Sequence, residues 1–390
     1  MNHPERKIAR RFDLPYRCHG VTEVVYGGEA GSIEKLKSAE EKHLPETPEY
    51  RVFYGEIHGH SSLSDGKTDP EEYYRQIRDE AKLDFAALTD HDHGGVGKPE
   101  LWGEKWERTK ALAKKYNEPG RFTTLLAYER DSYPWYNNAI VYYDHYDAEL
   151  LRGERDGEIT REELHRWLAR EDLLFIPHDT STLLWGTDFY TLEEQDMTSL
   201  LQVYSRYNHG ERRDPALMYD SDCEGGHWQD ALERGAKMGC VAGSDDHSPI
   251  NGRYCPDRPY PHCWPGITGV WAKENTLSSL FEALKARRCY AFMGGRIELD
   301  FRLNGHYMGE EITDVGERAL YFKIVADGEI DTVTVVKNSR DYIVLQGKTE
   351  QALLDYRQER KTDYYYLRVK LTDGRYAWSS PIWVHKEDGR

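Results

Sequence analysis

The chain has 390 residues and a formal net charge of −17. At roughly 100–200 residues per domain that leaves room for two domains, and the acidity argues against a general nucleic-acid coat or a binder of anionic membranes, whose phosphates are held by clustered cations. No apolar run approaches the roughly 18 residues of a membrane span. The start MNHPERKIARRFDLPY also lacks the apolar centre of a signal peptide, so the expectation is a cytoplasmic protein.

Residues 1–50 are polar, with EKLKSAEEKH reading as a short exposed helix, and form an N-terminal extension. From 51 to 294 short apolar runs alternate with amphipathic stretches, the pattern of repeated strand and helix units. Strands are expected at Val52–Ile57, Phe85–Thr89, Phe122–Ala127, Ala139–Tyr143, Leu173–Ile176, Leu200–Tyr204 and Cys240–Gly243. Between them DPEEYYRQIRDEAK opens with Asp69 as cap and Pro70 in the first turn. TREELHRWLARE carries a capping box from Thr160 to Glu163, and WQDALERGAKMG stops at Gly239. Such succession suits a parallel barrel or a doubly wound sheet, with functional side chains at the strand ends. From 295 to 390 the texture changes to IELDFRLNG, ALYFKIVADG, DTVTVVKNS, YYYLRVKLTDG and AWSSPIWVHK, a small antiparallel β-sandwich with turns at Asn304-Gly305 and Asp373-Gly374. The cysteines form no CxxC pair, which argues against a disulfide framework or a zinc ribbon; Cys255 and Cys263, flanking a Pro-rich loop, are expected to stay reduced.

The chemistry gathers at strand ends. In GEIHGHSSLSDG, His58 and His60 are two apart, so a strand points both imidazoles to one side, and Asp65 follows in the loop. Later strands run into Asp90-His91-Asp92-His93, Tyr128-Glu129-Arg130, Pro177-His178-Asp179, Ser205-Arg206-Tyr207-Asn208-His209 and Ser244-Asp245-Asp246-His247. If the strands are parallel, these groups meet at one rim, where carboxylates and imidazoles packed together need cations. The mixed donor set suits zinc, iron or manganese. Hydrogen-bonded loop histidines are the ordinary explanation for any one of these residues, but that explanation must account for the recurrence. Asp65 serves equally as a turn residue, Asp246 as a solvated neighbour of Asp245, and Asp92 and His93 as partners that orient His91. Lys67, Arg130, Arg206, Arg212, Arg213 and Arg253 lie in or beside these loops, either to grip an anionic substrate or to pair with surplus carboxylates.

HxHS followed by SDG, then TDHD, the Glu after the third strand, the PH pair and GSDDH resemble the PHP family, named from polymerase and histidinol phosphatase. RRCYAFMGGRIELDFRLNG and AWSSPIWV are similar to a branch with a C-terminal β-sandwich that includes carbamate hydrolases. The resemblance implies a distorted (β/α)7 barrel and a centre of two or three divalent ions. His58, His60, Glu129 and Asp245 would hold one ion, and His91 and Glu129 a second. Asp65, His178 and His247 would take the remaining positions, with Glu129 bridging and His209 at another ligand position. Lewis acidity then leads to the expectation of metal-assisted hydrolysis, with His247 or His209 protonating the leaving group and Arg206, as a grip on an anionic substrate, in the catalytic set. A small phosphoester is the first expectation, and a carbamate, ester or other carbonyl substrate the rival. A carbohydrate-binding protein with structural metals is the reading outside enzymes. The expected partner is an anionic small molecule, with no general nucleic-acid or membrane binding.

Overall fold

A computed structural model describes residues 50–92, 101–131, 136, 138–151, 159–182, 186–214, 223–313, 316–355 and 357–386. The expected helix over 34–43 and His93 lie outside them. The first unit runs β1 (Arg51–Glu56), α1 (Pro70–Arg75), β2 (Phe85–Leu88), α2 (Glu104–Tyr116), β3 (Thr123–Asp131), β4 (Asn138–Tyr143), α3 (Arg161–Leu168), β5 (Leu173–Pro177), β6 (Leu200–Tyr204), α4 (Trp228–Glu233) and β7 (Gly239–Ala242). It continues through β8 (Gly266–Ala272), α5 (Leu277–Lys285) and β9 (Cys289–Met293).

The helix starts follow local chemistry. Asp69 caps α1 by accepting from Glu71 N at 2.9 Å, and Thr160 and Glu163 form the capping box of α3. Helix α1 passes directly into a wider π turn, Gln76–Glu80. Helix α4 is shorter than WQDALERGAKMG implies: it ends at Glu233, and Gly235 leaves the helical path at φ 90°.

Strands β2, β5, β6 and β7 are buried throughout, so they read as unbroken apolar runs rather than alternating ones. Ile57, Phe85, Ala87, Leu125, Ala127, Ile140, Tyr142, Leu174, Ile176, Leu200 and Val241 share one interior cluster with Leu280, Phe281 and Leu284 of α5. The strands therefore face a common interior, but not as a closed barrel of parallel strands. β1, β2 and β3 pair in parallel, whereas β4 is antiparallel to β3 and β5, and β8 is antiparallel to β1 and β9. β6 and β7 form a separate parallel pair, tied back to β1 by a Gly59–Asp246 bridge. Antiparallel neighbours need no helical crossover, so the helix count is small.

The C-terminal strands are β10 (Ile297–Leu303), β11 (His306–Tyr307), β12 (Glu311–Thr313), β13 (Arg318–Ala326), β14 (Ile330–Lys337), β15 (Arg340–Gln346), β16 (Glu350–Asp355), β17 (Thr362–Leu371), β18 (Tyr376–Ser379) and β19 (Ile382–His385). One sheet has the order β11-β10-β13-β16; the other, β12-β19-β17-β18 with β14 and β15, joins the first unit where β18 pairs with β9. Leu299, Phe301, Phe322 and Ile324 from one sheet and Val333, Val335, Leu367 and Val369 from the other share a core. The expected turns are present, with Asn304 and Gly305 at φ 51° and 80° and Gly374 at φ 91°. Cys223, Cys240, Cys255, Cys263 and Cys289 are free thiols. No helix among the described residues is long and apolar enough to cross a membrane.

Candidate metal centre

His58 and His60 leave β1 one after the other, and the backbone that follows is pinned by its neighbours: His60 N donates to Asp246 O at 3.0 Å, and Asp245 N to His58 O at 2.8 Å. These bonds bring the ends of β1 and β7 together. Buried Glu56 braces the same junction, accepting from His58 N at 3.1 Å, from Ser244 N at 2.8 Å and from Ser244 Oγ. Burial pushes its carboxyl up to about 8. Gly243 is required here: a Cβ would stand 2.4 Å from His58 Cβ. Asp245 then turns through φ 55°, a left-handed conformation that non-glycine residues adopt at a cost, and Asp179 does the same at φ 52°.

The result is a tight group of donor atoms. His58 Nε2 lies 3.3 Å from His60 Nε2, 3.3 Å from Glu129 Oε2 and 3.3 Å from Asp245 Oδ1. His60 Nε2 lies 3.1 Å from Glu129 Oε2 and 3.0 Å from Asp245 Oδ1. Ligands held about 2.0–2.1 Å from a central ion at tetrahedral angles stand about 3.3–3.4 Å apart, so these spacings fit a metal. The donor chemistry fits too. His58 Nδ1 is 3.0 Å from Gln202 Oε1, which accepts its proton and leaves the Nε2 lone pair facing the group. His60 Nδ1 is buried without a hydrogen-bond partner, and His178 Nδ1 faces Asp179 Oδ2 at 3.5 Å.

Two further groups adjoin the first. His60, Asp65, His91 and His247 bring ligand atoms within 4.8 Å of one another, as do His178, Asp179 and Asp245. Asp65 Oδ1 is 3.2 Å from His247 Nε2 and 3.6 Å from His91 Nε2. Glu129 is shared: Oε2 meets His58, His60 and, at 3.5 Å, His91 Nδ1, while Oε1 meets His178 Nε2 at 3.0 Å. Burial opposes ionisation of Glu129, but the imidazoles of His91, His178 and His58 hold its carboxyl well below the usual range. Asp245 is likewise lowered against its own burial, by His58, His60 and His247. Burial lowers His58, whereas Asp245 and Glu129 overcome burial at His60 and raise it to about 10. Glu129, with Asp179, similarly raises His178 against burial.

Two expected members stand elsewhere. His209 is buried beneath the C-terminal sheet, its ring 5.0 Å from that of Trp378, and burial lowers it to about 4. It belongs to none of the three groups of donor atoms. Arg206 is buried and fully engaged: Nη1 donates to His262 O at 3.1 Å and Cys263 O at 3.0 Å, Nη2 to Ile250 O and Arg253 O, and Nε faces Asp246 Oδ2 at 3.0 Å. Its guanidinium staples the 250–263 loop and is not available to a substrate. Arg130, Arg212 and Arg253 pair with Asp92, Asp341 and Glu80, while Lys67 is exposed at the rim.

Several contributors act through partners that the sequence does not show. Asp90 accepts from Ser61 N at 2.8 Å, Ser61 Oγ at 2.7 Å and Ser64 Oγ at 2.6 Å, which shapes the loop bearing Asp65. Asp246, read as a solvated neighbour, is only 1% exposed. Gln202 lies on β6, 144 positions from the histidine it orients. Among aromatic residues of the loops, Tyr136 and Phe189 are buried, while Tyr190, Tyr254 and Tyr260 are exposed.

The sequence is similar to an uncharacterized protein of Chlamydia pneumoniae, 26% identical over 360 residues that cover 85% of this chain and 57% of that protein. A second, from Chlamydia muridarum, is 24% identical over 394 residues, covering 90% of this chain and 60% of that protein. The chain thus spans less than two thirds of the length of these curated relatives. A crystal structure from Bacteroides vulgatus, described as a two-domain protein containing a predicted PHP-like metal-dependent phosphoesterase, aligns at 15% identity and a TM-score of 0.45, covering 87% of this chain and 97% of that one. A family model described as "Protein of unknown function (DUF3604)" matches residues 67–213 and 259–321, more than half of the sequence, and the chain belongs to that family.

Proposed function

We propose that this chain is a metal-dependent hydrolase acting on small, anionic phosphoesters. The observation that carries the reading is the spacing of His58 Nε2, His60 Nε2, Glu129 Oε2 and Asp245 Oδ1, 3.0–3.3 Å in each of the pairs given above. These residues would hold one divalent ion. His91, Asp65 and His247, with Glu129 as the shared carboxylate, would hold a second, and His178 with Asp179 and Asp245 offers a place for a third. Zinc, manganese and iron all suit imidazole and carboxylate donors. When bound, such ions supply Lewis acidity, bringing the pKa of bound water down to about 7 and stabilising negative charge on the reacting group.

The side chains of the protein do the rest. Gln202 and Glu56 fix His58 from the side and from behind. His247, with 27% of its side chain exposed, stands at the open edge with Nε2 against Asp65 Oδ1. That Nε2 either ligates the second ion or, protonated, serves the leaving-group oxygen; the two roles exclude each other at one atom. In this reading residues 51–294 are the hydrolase unit of PHP type. Residues 1–50 extend it, residues 295–390 form an appended sandwich, and the protein works in the cytoplasm.

Alanine at His58 and His60 should abolish both metal content and turnover, and activity retained in metal-depleted protein would refute the proposal. A panel of p-nitrophenyl phosphates against naphthyl carbamates and esters tests the substrate class: turnover of the carbonyl compounds alone moves the reading to a carbonyl hydrolase. Full metal occupancy with no turnover of either moves it to a binding protein.

A further inference from the structure

The loop that follows Asp245 brings two arginines onto one carboxylate. Asp246 Oδ1 accepts from Ser248 N at 2.9 Å, from Ser248 Oγ at 2.7 Å and from Arg258 Nη2 at 3.0 Å, while Oδ2 faces Arg206 Nε. One carboxylate against two guanidiniums leaves a unit of positive charge in this trio, in a chain whose net charge is −17. The arginines differ in what they have left to offer. Arg206 is enclosed by loop carbonyls. Arg258 keeps 22% of its side chain exposed, bonds Asp246 and Ser248 Oγ through Nη2, and lies 5.9 Å from the ring centroid of Tyr207.

Tyr207 connects this charge to the metal-binding group. Its ring meets the accessible imidazole of His247 edge-on, with centroids 6.1 Å apart. Burial raises its hydroxyl, and the nearby Asp245 carboxylate adds to that, while the nearby Arg258 opposes it. A phosphoryl group whose reacting side faces His58, His60 and Asp245 would therefore turn its outer oxygens toward Tyr207 and Arg258. A planar guanidinium fork suits paired phosphate oxygens, and anchoring by Asp246 fixes its direction beforehand.

We infer that Arg258 and the Tyr207 hydroxyl bind the non-reacting oxygens of the phosphoryl group, as the substrate-binding pair of the site. This rests on the phosphoesterase reading above and assigns to Arg258 the task that the sequence gave reason to expect of Arg206.

The test uses the metal-loaded full chain, with inorganic phosphate as probe and p-nitrophenyl phosphate as substrate. Metal content and melting temperature are measured for every variant. Arg258→Met should weaken phosphate binding by about 10- to 100-fold, the range for losing a hydrogen bond to a charged group. KM should rise more than kcat falls, with metal content unchanged. Tyr207→Phe should weaken binding by a smaller factor, and Arg253→Met, a control in the same loop paired to Glu80, should leave it unchanged. Phosphate affinity within twofold of wild type in metal-replete Arg258→Met would overturn the assignment. If that variant loses its metal, Arg258→Lys decides, because it keeps the charge near Asp246 and removes the fork. Roughly fivefold weaker phosphate binding supports the assignment, and wild-type affinity overturns it. Failure of the phosphoesterase reading looks different: metal-loaded wild type then neither binds phosphate nor cleaves the phosphoester, and it hydrolyses a neutral naphthyl ester equally well with or without Arg258.

Discussion

Replacing Glu211 by glutamine should loosen the loop after β6 from the C-terminal sheet, and the size of the effect follows from its contacts. The carboxylate is 1% exposed and accepts from Arg368 Nε at 2.8 Å on both oxygens, from Arg368 Nη2 at 2.6 Å, from Tyr366 Oη at 2.6 Å and from Trp378 Nε1 at 2.8 Å. Burial works against the charge, but Arg368 prevails and brings the carboxyl from 4.5 down to about 2. A difference of roughly 2.5 units corresponds to about 3 kcal/mol. Because the folded value is the lower one, that stability is fully present above the unfolded value near 4.5 and drains away as pH falls toward 2. Glutamine keeps the shape but not the charge, leaving Arg368 with Asp341, 2.8 Å from Nη1. The variant should therefore unfold with a loss of about 3 kcal/mol at pH 7, and less than half of that at pH 3, where the wild type has already lost most of the term. Urea unfolding followed by tryptophan fluorescence at both pH values measures this, since Trp378 itself donates to Glu211. Equal midpoints at pH 7, or a deficit of the same size at pH 3, would refute the reasoning.

Other substitutions probe the metal group. Gln202→Met removes the acceptor that orients His58 and should cost about 10- to 100-fold in metal affinity, read by chelator competition; unchanged affinity would count against the imposed tautomer. Gly243→Ala places a methyl 2.4 Å from His58 Cβ. It should lower stability by about 1–3 kcal/mol and displace the imidazole, so a wild-type melting curve with full metal content would contradict the packing. Asp90→Asn weakens the bonds to Ser61 and Ser64 that shape the Asp65 loop. Elemental analysis should show loss of an ion held by Asp65, His91 and His247 before one held by His58 and Asp245, and loss in the opposite order would be inconsistent with these roles.

What was legible in the sequence was local. Asp69, Thr160 and Glu163 act within a few positions of the helices they start, and β1, β2, β5, β6 and β7 follow from dense apolar runs. The spacing of His58 and His60 was enough to place both on one side of a strand end. Strand direction was another matter: nothing in NAIVYY or GITGVWA distinguishes a strand that returns antiparallel from one reached by a crossover, so β4 and β8 break the expected parallel barrel. Helix α2 lacks a side-chain N-cap at Gly103, and the signal that usually marks a helix start was missing. Arg206 lies in a strand-end motif and Arg258 does not, and only the folded 250–263 loop decides which is enclosed and which reaches the rim. His209 follows a strand end like the others, yet the C-terminal sheet covers it through Trp378, a contact across well over a hundred positions. Glu56 and Gln202 escaped notice, and the part played by Asp90 could not be read, for the same reason, since each acts through a partner far along the chain.

The most direct test of the metal centre is anomalous scattering from crystals of the protein purified with its native metals, paired with elemental analysis of the same sample. The account predicts anomalous density equidistant from His58 Nε2, His60 Nε2, Glu129 Oε2 and Asp245 Oδ1, with at least one more peak across Glu129 toward His91 or His178. No peak among those four side chains, even after crystals are soaked in zinc or manganese, would contradict it.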